Sequence, residues 1–411
     1  MDDQKSAKDH KQIGQEQELF FTNDIAPGAP FWLPKGMIIF KEIEKYIREL
    51  TKDAGYLETS TPIMVKSQLF IESGHWTKFG EHNMYNLQPS DEADDSKSVS
   101  YTLKPMNCPE STLLYRFRPR SYRELPLRLA EIGRLHRREK SGEVNGLLRV
   151  RQLTMDDAHI YATEDQVLEE INSILDMMIT FYKNFGFEFD FRLATRPELF
   201  AGTQENWARA EKALEDALKS RDLKYSIKDQ DGAFYGPKID VHIKDSLGRE
   251  WQLATVQLDF HMPEAFDLQY IDNDGTPKKP VMIHRAILGS FERFIGIITE
   301  HFQGAFPVWL APIQVSIIPI ADRHLETAQK VAKQLTDKGV RVDIDARNES
   351  MQSKIRSATL QKVPFMGIIG DKEAQAETPK VSVRERSGKD LGVLDLSQFV
   401  QRVTEDIDKK I

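Results

Sequence analysis

Residues Arg134–His159 read RLHRREKSGEVNGLLRVRQLTMDDAH, two segments joined by the turn-rich SGEVNG. Leu147 and Val150 alternate with charged neighbours in only a rough period of two, which predicts strand, long hairpin, strand. The stretch gathers Arg134, Arg137, Arg138, Arg149 and Arg151, and closes on Asp156, Asp157 and His159. Two readings are open from these residues alone. One is a solvated, charged hairpin. The other is a site for a polyphosphate, because the planar guanidinium fork matches phosphate oxygens and stays charged.

The chain around it has 411 residues, enough for two or three domains with their own cores. A hydrophobic fraction of 40% with 29% charged residues is that of an ordinary globular protein. No apolar run approaches membrane-spanning length, and MDDQKSAKDHKQ carries no signal-peptide core, so no membrane association is expected. The single cysteine, Cys108, excludes an intramolecular disulfide and fits a reducing cytoplasm. A net charge of −8 argues against a basic nucleic-acid coat over the whole chain. A local field is still available where arginines concentrate, from Arg116 to Arg151.

In chain order, residues 1–30 form a lead-in, with a helix or frayed segment to about Gln17. Phe31–Pro34 leads into an amphipathic helix with Phe40, Ile43, Tyr46, Ile47 and Leu50 on one face; Pro34 suits its start and Gly55 its end. Strand-like GYLETSTPIM (55–64) follows, then a short helix near Ser67–Ser73 and a solvated acidic loop over Ser90–Ser98. Ser100–Asn107 alternates as a strand and delivers Cys108. Long helices are expected over Thr163–Phe185 and Gln204–Lys219. Strands are expected around 187–193, 239–244 and 251–259, with a turn at Ser246–Arg249, and short turns between neighbouring strands favour an antiparallel sheet with helices packed on it. Beyond Ala311–Pro312 the pattern changes to alternating strand and helix, a small α/β domain with a mostly parallel sheet. The expected organisation is therefore an α+β domain over 31–310 and an α/β domain over 311–411.

Several motifs resemble one enzyme family. His136–Glu139 is similar to the Arg-x-Glu signature in the second motif of class II aminoacyl-tRNA synthetases. Arg293 in AILGSFERFIG resembles their third motif, and GYLETSTPIM with Pro62 their first, which builds a dimer interface. KPMNCP, DDAHIY, FYGPKID, WQLATVQLDF and MIHRAILGS, in this order, resemble threonyl-tRNA synthetases. The likeness runs from about Asp9 to Gly392 and implies the class II catalytic fold followed by an anticodon-binding domain. The family's usual chain carries further N-terminal domains, one of which hydrolyses wrongly charged product; they are not in this sequence.

The resemblance assigns Cys108, His159 and His284 to an active-site zinc ion. Three protein ligands would leave the metal an open position. Asp157 would contact the β-hydroxyl of L-threonine, and Tyr235 would lie near its amine. For ATP, Arg137 would meet the α-phosphate, Arg149 the γ-phosphate end, and Arg293 the opposite side. Glu139 would accept from the adenine amine, and Gln252, Thr255 and Gln257 would line the pocket. Mg2+ is implied with ATP, threonine tRNA as acceptor, a homodimer around Pro62, and Glu373 and Arg384 as readers of anticodon bases. Glu110 and Ser111 depart from the family's Gly-His, Leu153 from an aromatic and Met155 from a glutamine. The alternatives are a serine or proline ligase of the same class, a non-catalytic RNA-binding paralogue, and a partner to a separate editing protein.

Overall fold

The computed structural model describes residues 7–88, 100–246 and 248–411. The acidic stretch Ser90–Ser98 and Leu247 of the expected 246–249 turn lie outside the described residues. The chain forms two compact units. One comprises Tyr46–Gly296 with Thr22–Pro30. The other comprises Phe31–Lys45 and Ile297–Ile411, with the N-terminal segment through Phe21.

The larger unit is built on eight strands: β1 (Leu57–Glu58), β2 (Leu127–His136), β3 (Gln152–Ala162), β4 (Glu188–Ala194), β5 (Tyr225–Lys228), β6 (Lys238–Lys244), β7 (Glu250–Asp259) and β8 (Val281–Ser290). Their spatial order is β5-β4-β6-β7-β8-β3-β2-β1. The two outermost pairs, β5/β4 and β1/β2, are parallel, and every pair between them is antiparallel. The hairpin expected from Arg134–His159 is β2 and β3, with His136 opposite Gln152. Its strands reach further than the period-two reading, back to Leu127 and on to Ala162.

Helix Val167–Asn184 buries Ile171, Ile174, Met178, Phe181 and Tyr182, and the Tyr182 hydroxyl donates to the Ile287 carbonyl of β8. β8 itself was not expected as a strand. It is buried along almost its whole length, so VMIHRAIL shows no polar alternation to read. The strand expected over Ser100–Asn107 is confined to Tyr101–Leu103, after which the chain turns toward the helix Cys108–Arg116.

Asp156 fixes the middle of this sheet. The register of β8 against β3 shifts between Ala286 and Ser290. Inside that irregularity the Ile287 and Leu288 N–H groups donate to the Asp156 carboxylate at 2.8 and 3.1 Å. Arg285 Nη1 donates to the same side chain and to the Asp156 carbonyl. Both side chains are buried, and the Arg285 guanidinium lies 4.8 Å from the centre of the Tyr56 ring. A bulge leaves ladder groups unpaired, and a buried amide without an acceptor is costly, so the acid belongs where the ladder breaks.

In the smaller unit, β9 (Val315–Pro319), β10 (Val342–Ile344), β11 (Phe365–Ile369), β12 (Lys380–Glu385) and β13 (Asp390–Asp395) run in the order β10-β9-β11-β12-β13. The sheet is mixed rather than mostly parallel: β10, β9 and β11 are parallel, while β12 and β13 are antiparallel. β12 already runs against β11, and the short turn at Gly388, which can join only antiparallel neighbours, brings β13 back along β12. Val315, Ile317, Val331, Leu335, Val381 and Phe399 meet in its core. Among the described residues, no helix is long and apolar enough to cross a membrane.

Replacing Asp156 by Ala removes the acceptor for two backbone amides and leaves the Arg285 charge buried. The expected loss is about 3–5 kcal/mol, read as a fall in the urea midpoint. A midpoint within experimental error of the unaltered chain would refute the role given to Asp156.

Candidate active site

Alternation along a strand sends every second residue to one face. In β3 these are Met155, Asp157 and His159. Register then sets their neighbours: His159 lies opposite His284, and His284 opposite Gln257. One step along, Asp157 lies opposite Ala286 and Ala286 opposite Thr255. Two rows across three strands thus place five of the expected site residues on one face. A cavity of about 170 Å3 opens on it, also reached by Cys108, Arg137 and Tyr235. A bulge in β6/β7 completes the set. Asp240 is opposite Thr255 but His242 is opposite Gln252, so Gln252 joins the same face as Thr255 despite the odd spacing. Gln252 does not itself line the cavity.

Two glycines permit the close approaches. A Cβ on Gly133 of β2 would stand 2.4 Å from Asn107 Oδ1, and one on Gly236 would stand 1.9 Å from the Leu258 carbonyl oxygen. The first lets the turn before Cys108 lie against the sheet; the second lets Tyr235 do so. Asn107 Nδ2 then donates to Asp157 Oδ2 at 2.7 Å, and the Tyr235 hydroxyl donates to Gln257 Oε1.

Cys108, His159 and His284 each offer a donor atom, and these atoms all lie within 4.8 Å of one another. All three residues are buried. Burial, then the carboxylates of Glu110, Asp157 and Asp259, push the Cys108 thiol well up. Burial and the neighbouring His284 push His159 well down, so its imidazole is neutral with a lone pair to give. A buried thiol among carboxylates ionises only beside a positive charge, which is what a metal ion would provide. The donor set fits one.

Of the motif arginines, Arg137 lines the cavity, and Arg293 lies near enough to feel its charge. Arg137 Nε donates to the Pro105 carbonyl, and its guanidinium lies 5.9 Å from the Phe79 ring centre. Arg293, near the start of helix Phe291–His301, donates to the Leu148 carbonyl. Burial first, then the charges of Arg137 and Arg149, lowers the pKa of Arg293. Arg149 is the outermost and pairs with Glu139 and Glu143. A cluster of like charge is poised for a polyanion.

The departures have definite positions. Met155 lines the cavity, with its sulfur 3.9 Å from Arg137 Nη2. Leu153 packs with Leu135 and Val150. Glu110 is buried, and burial pushes its carboxyl up to about 8. Ser111 exchanges a hydrogen bond with the Tyr161 hydroxyl. In the smaller unit, Glu373 is no free surface charge: it is buried and accepts from the Gly370 N–H that opens its own short helix. Arg384 lies in β12 opposite Met366.

Sequence reasoning passed over Asn107, His75, Arg285 and Asp259. His75 Nε2 lies 3.5 Å from Cys108 Sγ, and burial holds its pKa down to about 3. Asn107 and Asp259 stood inside quoted motifs, but neither residue type carries a spacing signal of its own.

Gly133→Ala should displace Asn107 and free Asp157 from its donor. The expected cost is about 1–3 kcal/mol in the thermal or urea midpoint. An unchanged midpoint would mean that the Asn107 turn yields easily.

Known proteins resemble this chain in both sequence and fold. Residues 85–302 match the family model described as tRNA synthetase class II core domain (G, H, P, S and T). Residues 314–406 match that of an anticodon binding domain. The threonine–tRNA ligase of Acetivibrio thermocellus is 50% identical over 403 residues, covering 98% of this chain and 62% of the relative. That of Thermotoga maritima is 49% identical over 401 residues, covering 97% and 61%. The chain therefore spans about three fifths of the length of these curated relatives. Among solved structures, the RNA binding domain of threonyl-tRNA synthetase from Cryptosporidium parvum aligns with a TM-score of 0.91 at 37% identity, over 97% of this chain and 98% of that one. A putative threonyl-tRNA synthetase from Aeropyrum pernix aligns at 0.82 and 28% identity, over 98% and 97%. With its core matched over more than half its length and its fold shared with these structures, the chain belongs to the class II tRNA synthetase core family.

Proposed function

We propose that this chain activates L-threonine with ATP and transfers the threonyl group to the 3′ end of threonine tRNA. The observation that carries the reading is the convergence of Cys108, His159 and His284 beside Asp157, within reach of the arginine cluster. The curated relatives' name, threonine–tRNA ligase, supports the same amino acid.

Activation is attack of the threonine carboxylate on the α-phosphate, with pyrophosphate leaving. No side-chain nucleophile is required; the work is alignment and neutralisation of charge that grows on phosphate. Arg137 is the residue for the α-phosphate and the substrate carboxylate. Arg149, released from Glu139 and Glu143, takes the γ-phosphate end, and Arg293 closes the opposite side. Glu139 accepts from the adenine amine, and Gln252 and Thr255 line the nucleotide side. Mg2+ accompanies ATP because the polyphosphate needs compensation beyond three guanidiniums.

Cys108, His159 and His284 would hold zinc. With three protein ligands it would supply an open position for the amine and β-hydroxyl of threonine, a contact valine cannot make. Asp157, held by Asn107, accepts from that hydroxyl, and Tyr235 with Gln257 encloses the amine side. A site built to engage a hydroxyl rejects the analogue lacking it far better than an apolar pocket can. Serine keeps the hydroxyl and lacks one methyl, so it is excluded less well. The catalytic domain we assign to 31–310 and the anticodon-reading domain to 311–411, with Glu373 and Arg384 as its base readers. A homodimer around Pro62 and a cytoplasmic location complete the proposal.

ATP–pyrophosphate exchange with the purified chain tests the reaction. Threonine should drive exchange, serine more weakly and valine hardly at all. Exchange that prefers proline or serine would leave the class standing and overturn the amino acid; none at all would overturn catalysis.

Two substitutions separate the charge and metal roles. Arg137→Ala should lower the exchange rate roughly 100- to 1,000-fold while zinc content is retained. Cys108→Ala should lose both zinc, measured by atomic absorption, and exchange. Full activity in a zinc-free Cys108→Ala protein would remove the metal from the account.

A further inference from the structure

We propose that Asp259 is a positioning residue that fixes which nitrogen of His284 faces Cys108 and His159. In this way it sets the cluster's affinity for a zinc-like divalent ion. The inference rests on the metal reading above and extends it to a residue outside the three donors.

Asp259 closes β7 on the same face as Gln257, diagonally across from His284 on β8. It is fully buried, and both of its oxygens are engaged. Oδ1 accepts from the backbone N–H groups of His261 and Met262, at 2.7 and 2.9 Å. Oδ2 meets His284 Nε2 at 2.8 Å. The turn into the short helix His261–Ala265 thus holds the carboxylate at one end, and the carboxylate holds the imidazole at the other.

With Oδ1 accepting from two backbone amides and Oδ2 facing the ring, the carboxylate is placed as the acceptor, and the ring proton belongs on Nε2. Nδ1 is then left with its lone pair, and it is the nitrogen free to serve the cluster. The ring plane is fixed as well: the His284 ring lies 5.2 Å from that of His159 and 4.9 Å from that of Tyr235, centre to centre. A ligand imidazole whose far nitrogen is held by a carboxylate is set in tautomer and direction before metal arrives, and loss of such a partner typically costs roughly 10- to 100-fold in affinity.

Asp259→Asn separates this role from that of a turn-former. Asparagine keeps one oxygen for the two backbone amides, so the turn survives. Its NH2 then points at His284 Nε2, which must accept; the proton moves to Nδ1, and the cluster loses a donor lone pair.

The test is a titration of metal-free protein with Co2+, followed by its visible absorption, together with Zn2+ competition against a chromophoric chelator. The expected result is a roughly 10- to 100-fold weaker affinity for both ions in Asp259→Asn, with an altered cobalt spectrum and an unchanged urea midpoint. Equal affinity and an identical spectrum would overturn the proposal. Failure of the unaltered chain to bind cobalt or zinc would instead sink the metal reading itself, a separate outcome visible in the same experiment. Should the variant fold poorly, 15N-histidine spectra of the unaltered chain decide the matter. His284 protonated on Nε2 upholds the assignment, and protonation on Nδ1 refutes it.

Discussion

The site depends on strand register. His159, His284 and Gln257 meet because three antiparallel strands pair them directly, and Asp157, Ala286 and Thr255 follow one step along. Side chains alternate with a period of two, so a slip of one residue in β3 would turn Met155, Asp157 and His159 away and present Asp156 and Ala158 instead. No adjustment of rotamers could restore the site after such a slip. The chemistry is therefore only as secure as the ladder.

That places a burden on two adjacent acids with opposite duties. Asp156 points to the far side of β3, where it takes the amides that the β8 irregularity releases and neutralises Arg285. Asp157 points into the cavity and is held by Asn107. Burial raises the pKa of each above the ordinary aspartate value. The two differ in what opposes that push: chiefly the Arg285 charge for Asp156, and the Asn107 hydrogen bond for Asp157. One acid has its partners built into the fold; the other keeps capacity for a ligand.

Much of this was legible in sequence because it is local. The β2/β3 hairpin, the long helices and the C-terminal α/β order follow from periodicity and turn residues. What periodicity missed is also physical. β8 is buried on both faces, so its composition carries no alternation. The phase change that brings Gln252 round to the face of Thr255 comes from a bulge, which needs a partner strand to exist. Cys108, His159 and His284 have no metal-ligand spacing, since a sheet rather than a loop brings them together; only likeness to a family pointed to them. Asp259 stood inside a quoted motif but carried no role there, because its meaning lies entirely in what it touches.

The most direct measurement of the metal account is an anomalous difference map, recorded at the zinc absorption edge, from crystals grown with threonine. The expected result is one strong peak bounded by Cys108 Sγ, His159 and His284, with His284 bonded on its far side to Asp259 and the threonine hydroxyl turned to the metal. A well-ordered site with threonine bound and no anomalous peak among these three residues would contradict it.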